Sequence, residues 1–472
     1  MPKFREERDS IGIVKVPADA YHGSFTRRAL ENFPVSGLRP DPRLIQALIE
    51  IKVAAARVHE RLGLLDRRRA RAIIRAGEEA LAGKFDREFV LDAFTAGAGT
   101  PIHMNVNEVL ANRANEILGG RKGRYDRVHP NDHVNLGQSS NDVFPTAIRI
   151  LAMDLAGSLL EAAGEVERGL RRKAGVHRRT LKSARTHLQD AVPITLGQEL
   201  GGYATSLAKA RGRIQQALRN LRRLGIGATA AGTGINSHPR YPRLVVRELA
   251  RMTELRLENA PDLVEATSSM ADFVELANAL DEYAIELGRV SSDLRLLVSG
   301  PRTGLDEISI PEVEPGSSIM PGKVNPSVPE MVNMACFQVS GCAQAVRLAG
   351  ARGELDLNVF TPLIAFNLAL TLRILASASR ILARRTVEGL RANTKVCRRH
   401  AERSPGIATA LTPVIGYARA AEIVKRALEE GSSIREALIE HSGLPRDRVE
   451  KLLDPLALTR PNLVSPRRGR RR

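Results

Sequence analysis

Gly316-Ser317-Ser318-Ile319-Met320-Pro321-Gly322-Lys323-Val324-Asn325-Pro326 places two hydroxyls, one cation and one amide on a segment that cannot be a continuous helix. Prolines at 315, 321 and 326 each remove a backbone donor and fix φ. Glycines at 316 and 322 let the backbone take positive φ or approach a ligand closely. An ordered loop so equipped can hold a carboxylate while a proton leaves the neighbouring carbon. That step creates an aci-carboxylate with two negative charges on one group, and preorganised donors aimed at it supply the main gain in rate. A bare Gly-Ser-Ser carries no such meaning. Gly431-Ser432-Ser433 lacks the lysine and asparagine and reads as a helix start, with Ser433 and Glu436 as a capping box.

Three further stretches carry chemistry-bearing residues. Ala96-Gly97-Ala98-Gly99-Thr100-Pro101 is flexible and then stiff, and Ile102-His103-Met104-Asn105-Val106-Asn107 follows with short uncharged polar groups suited to a hydrogen-bonding wall. Ser139-Ser140-Asn141 stands before a long apolar-periodic stretch, where such residues cap helices. One cap would suffice, so the others offer donors to a carboxylate, as do free N–H groups at a helix start. Thr186, His187 and Gln189 lie on an irregular segment marked by Pro193 and Gly197. A lone histidine is usually structural, but it is also the side chain best able to exchange a proton near pH 7. The glycine-rich stretch from Gly225 to Asn236 has no preceding strand, which excludes dinucleotide binding. His129 and His133 have metal-like spacing, but Pro130 argues against a helix and no third ligand follows, so no metal is expected.

The elements that must position these groups are helices. The chain has 472 residues, 4% aromatics and no tryptophan, a composition that favours long packed helices and allows about three domains. We place them at 1–142 (mixed helix and loop), 143–395 (a helical bundle) and 396–472 (small and helical, with a basic tail). Leu44, Leu48, Ile51, Ala55 and Val58 share one helix face. From Asp262 to Ser299, Ala266, Met270, Phe273, Ala277, Leu280, Ala284, Leu287, Ser291, Leu294 and Val298 recur at steps of four and three, predicting one rod of roughly 50 Å. Such a rod suits a homo-oligomeric bundle. The net charge of +18 is dispersed among 53 acidic residues except in the tail from Ser465 to Arg472, so no nucleic acid is expected as partner. Arginine-rich helices also suit ion-pair networks. Three scattered cysteines fit a reducing cytoplasm, and the absence of a signal peptide or an apolar run of about 18 residues excludes a membrane role.

Taken together, Gly97–Asn107, Gly137–Asp142 with Thr186–Pro193, and Gly316–Asn325 resemble the fumarase/aspartase superfamily, and the likeness runs from about residue 10 to 460. The resemblance implies a mostly α, three-domain fold with a central long-helix bundle. It also implies a homotetramer whose sites each draw on three subunits, a small dicarboxylate substrate, and no cofactor. By it, Ser317 occupies the base position and His187, with Glu330 as acid partner, the assisting position. Thr100, Ser139, Ser140, Asn141, Thr186, Lys323 and Asn325 match substrate-binding positions, and His129, Asn131 and Asp132 are candidates for a second anion site. Tyr21-His22-Gly23, Gly97-Ala98-Gly99-Thr100, Asp190-Ala191-Val192-Pro193, Gly304-Leu305-Asp306-Glu307, Val328–Asn333 and Ser404-Pro405-Gly406-Ile407 look like aspartate ammonia-lyases. Gln138-Ser139-Ser140-Asn141 and His129-Pro130-Asn131-Asp132 look like class II fumarases, and several aspartases carry threonine at the position of Ser140. The more numerous matches favour release of ammonia from L-aspartate, with fumarate hydration as the alternative. A non-enzymatic bundle protein would have lost a site residue, and none is lost.

Overall fold

The computed structural model describes residues 3–461, so the basic tail from Ser465 lies outside them. Its first element is a strand pair, β1 (Phe4–Arg8) with β2 (Ile13–Pro17), where Val14 and Val16 bury one face. Then come α1 (Ser24–Asn32), α2 (Pro42–Arg61) and α3 (Arg67–Leu81). The starts of α2 and α3 are set by aspartates: Asp41 accepts from Arg43 N, and Asp66 from Arg68 N and Arg69 N. Leu44, Leu48, Ile51, Ala55 and Val58 are all buried, as their spacing predicts. Next are α4 (Thr100–Ile117), α5 (Ser140–Val176), the hairpin β3 (Leu181–Thr186) and β4 (Gln189–Thr195), and α6 (Leu196–Asn220). β5 (Arg223–Leu224), α7 (Tyr241–Thr253), β6 (Glu258–Asn259), α8 (Leu263–Ser268), α9 (Ala271–Leu297), β7 (Ile308–Ser309), α10 (Ser327–Gly350) and α11 (Thr361–Leu382) follow. The chain closes with β8 (Arg391–Ala392), α12 (Thr394–Arg403), α13 (Thr412–Ile415), α14 (Tyr417–Glu430), α15 (Ile434–His441) and α16 (Arg446–Leu452).

The rod expected from Asp262 to Ser299 is broken. Asp262 caps the six-residue α8, Ser269 leaves the helical region at φ −92°, ψ 130°, and α9 begins afresh at Ala271. Ser268 Oγ bonds back to Val264 O (3.0 Å), and Ser269 Oγ accepts from Ala271 N (3.3 Å). Two serines in succession thus draw backbone groups out of the helical ladder, a competition that apolar periodicity does not register. The apolar pattern itself holds, since every position named in the rod except Val298 is buried.

By contact the chain groups into two units, each drawn from three stretches. One comprises Met1–Leu160, Arg211–Ala284 and Cys336–Ala376; the other comprises Glu161–Ala210, Ile285–Ala335 and the chain from Ser377 onward. The five longest helices, α5, α6, α9, α10 and α11, each contribute residues to both. They are the long helices the sequence assigned to a central bundle, and the sequence boundaries at 142 and 395 follow the chain rather than these units. Near the end of the chain, Leu411, Ala427, Leu438 and Val449 centre a separate small core. Although the sequence shows no uninterrupted apolar run, α5 and the stretch Thr361–Val387 are long and apolar enough to cross a membrane by length and composition. In each, 67% of the most apolar window is buried inside the protein, as in a core helix. The expected ion-pair networks are present: Glu248 alone meets Arg57, Arg61 and Arg251. All three cysteines are free and buried.

Candidate active site

The start of α5 is organised from below by a buried acid. Asp142 Oδ1 accepts from Ser139 N (2.9 Å), while Oδ2 accepts from Gly227 N (2.9 Å) and Thr229 N (3.2 Å). The glycine-rich stretch from Gly225 to Asn236 is therefore a strap held on the helix start, and Asn141 Nδ2 adds a bond to Ala230 O (2.8 Å). Burial pushes the Asp142 carboxyl up to about 6, against these amide donors and the nearby Lys52 charge. Lys52 is itself fully buried and donates to Asn135 Oδ1 (2.9 Å) and Gln138 Oε1 (3.0 Å), fixing the turn that leads into Ser139. Burial holds its pKa well below the usual lysine value. Ser139 Oγ accepts from Asn141 N (3.2 Å), and Ser140 Oγ lies 2.8 Å from His103 Nδ1. Sequence reasoning named the serines and set His103 in a polar stretch, but it did not join His103 to Ser140 and assigned no role to Lys52 or Asp142.

Thr100 opens α4, half-buried, after Ala98 (φ 58°) and Gly99 (φ 67°). A Cβ at Gly99 would run into the Phe144 ring, so both conformation and space require glycine there. The amides downstream turn mostly inward. Asn105 Nδ2 donates to Glu88 O (3.0 Å), which makes it a structural residue rather than part of a ligand wall. Pro130 was expected to exclude helix, yet Pro130–Val134 form a single π turn, with proline first, where its missing N–H has no role. His129 Nδ1 accepts from Asn131 N (3.2 Å) and Asp132 N (3.3 Å), and His133 Nδ1 accepts from His129 N (2.8 Å). Both rings are engaged in capping. Among the described residues no group of three or more His, Cys, Asp or Glu side chains could hold a metal.

In the second unit, the loop from Gly316 is closed by its own bonds. Gly316 N donates to Lys323 O (2.9 Å) and Asn325 Nδ2 to Gly316 O (2.6 Å), so one of the two Asn325 amide N–H groups closes the loop. Ser317 Oγ accepts from Ile319 N (3.2 Å) and Met320 N (2.9 Å). Lys323 and Asn325 line a cavity of about 770 Å³ together with Arg295, Asp306, Glu312 and Glu330, the last from the first turn of α10.

Residues 12–341 match a family described as Lyase, and residues 407–460 one described as Fumarase C C-terminus. The chain is 43% identical over 461 residues to fumarate hydratase class II 2 of Bradyrhizobium diazoefficiens, covering 98% of each. It is 41% identical over 460 residues to an aspartate ammonia-lyase of a Bacillus species, again covering 98% of each. The recombinant class II fumarase of Schistosoma mansoni superposes with a TM-score of 0.94 at 36% identity, over 97% of this chain and 99% of that one. The chain belongs to the fumarase/aspartase superfamily.

In this lyase, His187 sits at the tip of the β3–β4 hairpin rather than on an irregular loop. His187 (φ 54°) and Leu188 (φ 59°) are the two turn residues, both left-handed, as the tight mirror-image hairpin turn demands. Asparagine and glycine normally take such positions, so two side-chain-bearing residues there hold conformational strain, a feature that clusters at functional sites. Thr186 and His187 are exposed, and His187 shares no hydrogen bond with Glu330 among the described residues. Under the hairpin lies a buried charge cluster that the sequence did not reveal. Glu307 meets Arg185 Nη2 (2.9 Å), His400 Nδ1 (3.0 Å) and Lys182 Nζ (3.1 Å), and Lys182 also reaches Glu199 (2.8 Å). Glu307 and Arg185 are 122 residues apart, so no local pattern could have paired them.

Proposed function

We propose that this lyase is a class II fumarate hydratase, interconverting fumarate plus water and L-malate through an aci-carboxylate intermediate. The observation that carries the reading is Ser140. It is a buried serine at the first residue of α5, its hydroxyl fixed 2.8 Å from His103, in a Gln138-Ser139-Ser140-Asn141 run of the class II fumarase type. The names of the Bradyrhizobium and Schistosoma proteins agree with it. Ser317 is the base. Its oxygen already accepts two backbone N–H groups, the arrangement that favours an alkoxide over a free serine. His187, with Glu330, assists proton exchange. Thr100, Ser139, Ser140, Asn141, Thr186, Lys323 and Asn325 hold the two carboxylates, and the compact Lys323 ammonium favours the more highly charged transition state over the ground state. The reaction needs no cofactor, and a cytoplasmic setting suits the three free thiols.

A second reading, L-aspartate ammonia-lyase, is supported by the Bacillus relative and by the aspartase-like runs at Gly97–Thr100 and Asp190–Pro193. Fumarate consumption followed with and without ammonium separates them. We expect fumarate to be converted to malate without ammonium; consumption that requires ammonium and yields aspartate would replace the first reading by the second.

The assembly proposed is a homotetramer in which each site draws on three subunits. Its support is the surface of α10, where Met334 (63%), Phe337 (71%) and Leu348 (56%) are exposed at helical spacing on one chain. A mixture of inactive Ser317→Ala chains and inactive His187→Asn chains is expected to regain activity, since roughly a quarter of randomly mixed sites would hold both intact residues. Hybrid tetramers that form but stay inactive would refute the shared site.

A further inference from the structure

Ser140 has one proton to donate, and the residues behind it determine where that proton points. His103 is fully buried on α4, with Nδ1 2.8 Å from Ser140 Oγ and Nε2 3.4 Å from Asn107 Nδ2. Asn107, also fully buried, lies one helical turn further along, so the three side chains form a file that ends at the first residue of α5. A neutral imidazole carries a single N–H, and its other nitrogen accepts. The Asn107 amide turns Nδ2 toward Nε2, at 3.4 Å, and toward Met104 Sδ at the same distance; with Nδ2 in that orientation Nε2 is the acceptor and the ring proton sits on Nδ1. From Nδ1 that proton can reach only the Ser140 oxygen. Burial, with the Lys52 charge acting in the same direction, holds the imidazole pKa well below its usual value, so the ring is neutral across the working range.

We propose that His103 is a positioning residue for Ser140: it donates from Nδ1 to the serine oxygen and thereby leaves the serine's own proton to donate outward to a substrate carboxylate. This rests on the reading above that Ser140 belongs to the carboxylate site. The opposite tautomer would make Nδ1 an acceptor, turn the Ser140 proton inward, and present a lone pair to an anion at a helix start that otherwise favours one. His103 therefore sets Ser140 as a donor, which suits a carboxylate oxygen and opposes an ammonium group.

A double-mutant cycle tests this. Ser140→Ala is expected to lower kcat/KM by about 10- to 100-fold, the usual effect of losing a hydrogen bond to a charged group, mainly through KM. His103→Gln, whose amide reaches the Nε2 position but not Nδ1, is expected to lower it comparably in the wild-type background and by less than about twofold in the Ser140→Ala background. His103→Asn, whose amide can replace the Nδ1 donor, is expected to restore most of the loss. Equal losses from His103→Gln in both backgrounds, or an asparagine variant as poor as the glutamine one, would overturn the proposal. An unchanged Ser140→Ala enzyme would instead remove Ser140 from the carboxylate site, and with it both readings. Independently of folding in any His103 variant, ¹⁵N-histidine spectra of the intact enzyme report the tautomer: protonated Nδ1 on His103 is expected, and protonated Nε2 would refute the file.

Discussion

Ser317→Ala is expected to lower turnover at least about 100-fold, the usual scale for a general base, while substrate affinity and fold stay nearly unchanged. Ser317 is half-exposed on a loop, so losing its hydroxyl opens no cavity in a core. The bonds that close the loop, Gly316 N to Lys323 O and Asn325 Nδ2 to Gly316 O, do not involve its side chain. What is lost is the oxygen that receives Ile319 N and Met320 N. Those two amides cannot turn a serine into a strong base by themselves, but a charge-assisted bond is about twice as strong as a neutral one. Each therefore stabilises the alkoxide more than the alcohol. Initial rates and inhibitor titration on the same preparation make the test. Turnover above a few per cent of wild type, with binding intact, would place the base elsewhere.

What was legible in the sequence, and what was not, divides along the range of the interactions. The core face of α2 and the apolar rows of α9 are properties of residues three and four apart, and they stood out in the sequence. The loop from Gly316 was legible for a different reason, because its prolines and glycines restrict a contiguous backbone whatever surrounds it. The β3–β4 hairpin was hidden because its turn is His187-Leu188, without the asparagine-glycine pair that normally announces such a turn. The break at Ser269 was hidden because serine hydroxyls compete for backbone groups without altering the apolar period. The second tier of the site was the least accessible. Lys52 meets Gln138 from 86 residues away, and Asp142 meets Gly227 from 85. A buried lysine in an apolar helix face looks like noise until its acceptors are in place. Charged residues are almost never fully buried unless paired, and that rule could have flagged Lys52 as owed a partner.

Glu307→Gln is expected to destabilise the protein by about 3–5 kcal/mol, the range for removing one partner of a buried ion pair. The Glu307 side chain has no exposed surface, and it faces Lys182, Arg185 and His400. Burial alone would raise its pKa, but Arg185, Lys182 and His400 together outweigh burial and hold it below the usual glutamate value. With Glu307 and Glu199 both ionised, the charges of Lys182 and Arg185 are balanced; the glutamine variant leaves one buried cation without a counter-charge. Because the folded pKa lies below the unfolded one, the stabilisation is complete above the unfolded value of about 4.3 and is lost as pH falls through the folded pKa. Glu199 shifts the other way, raised by burial, but it is present in both proteins and largely cancels in the comparison. The difference in Tm between wild type and Glu307→Gln should therefore be clear at pH 7, about 3–5 °C, and should shrink steadily below about pH 4. Adding Lys182→Met should recover part of the loss, since replacing a whole buried pair by apolar groups is often near neutral. A Tm unchanged at pH 7, or a deficit that persists undiminished in acid, would show that the cluster does not hold the hairpin. If it does hold it, the charge on Glu307 is what keeps Thr186 and His187 at their strained turn, and the variant should lose activity at temperatures well below its own unfolding.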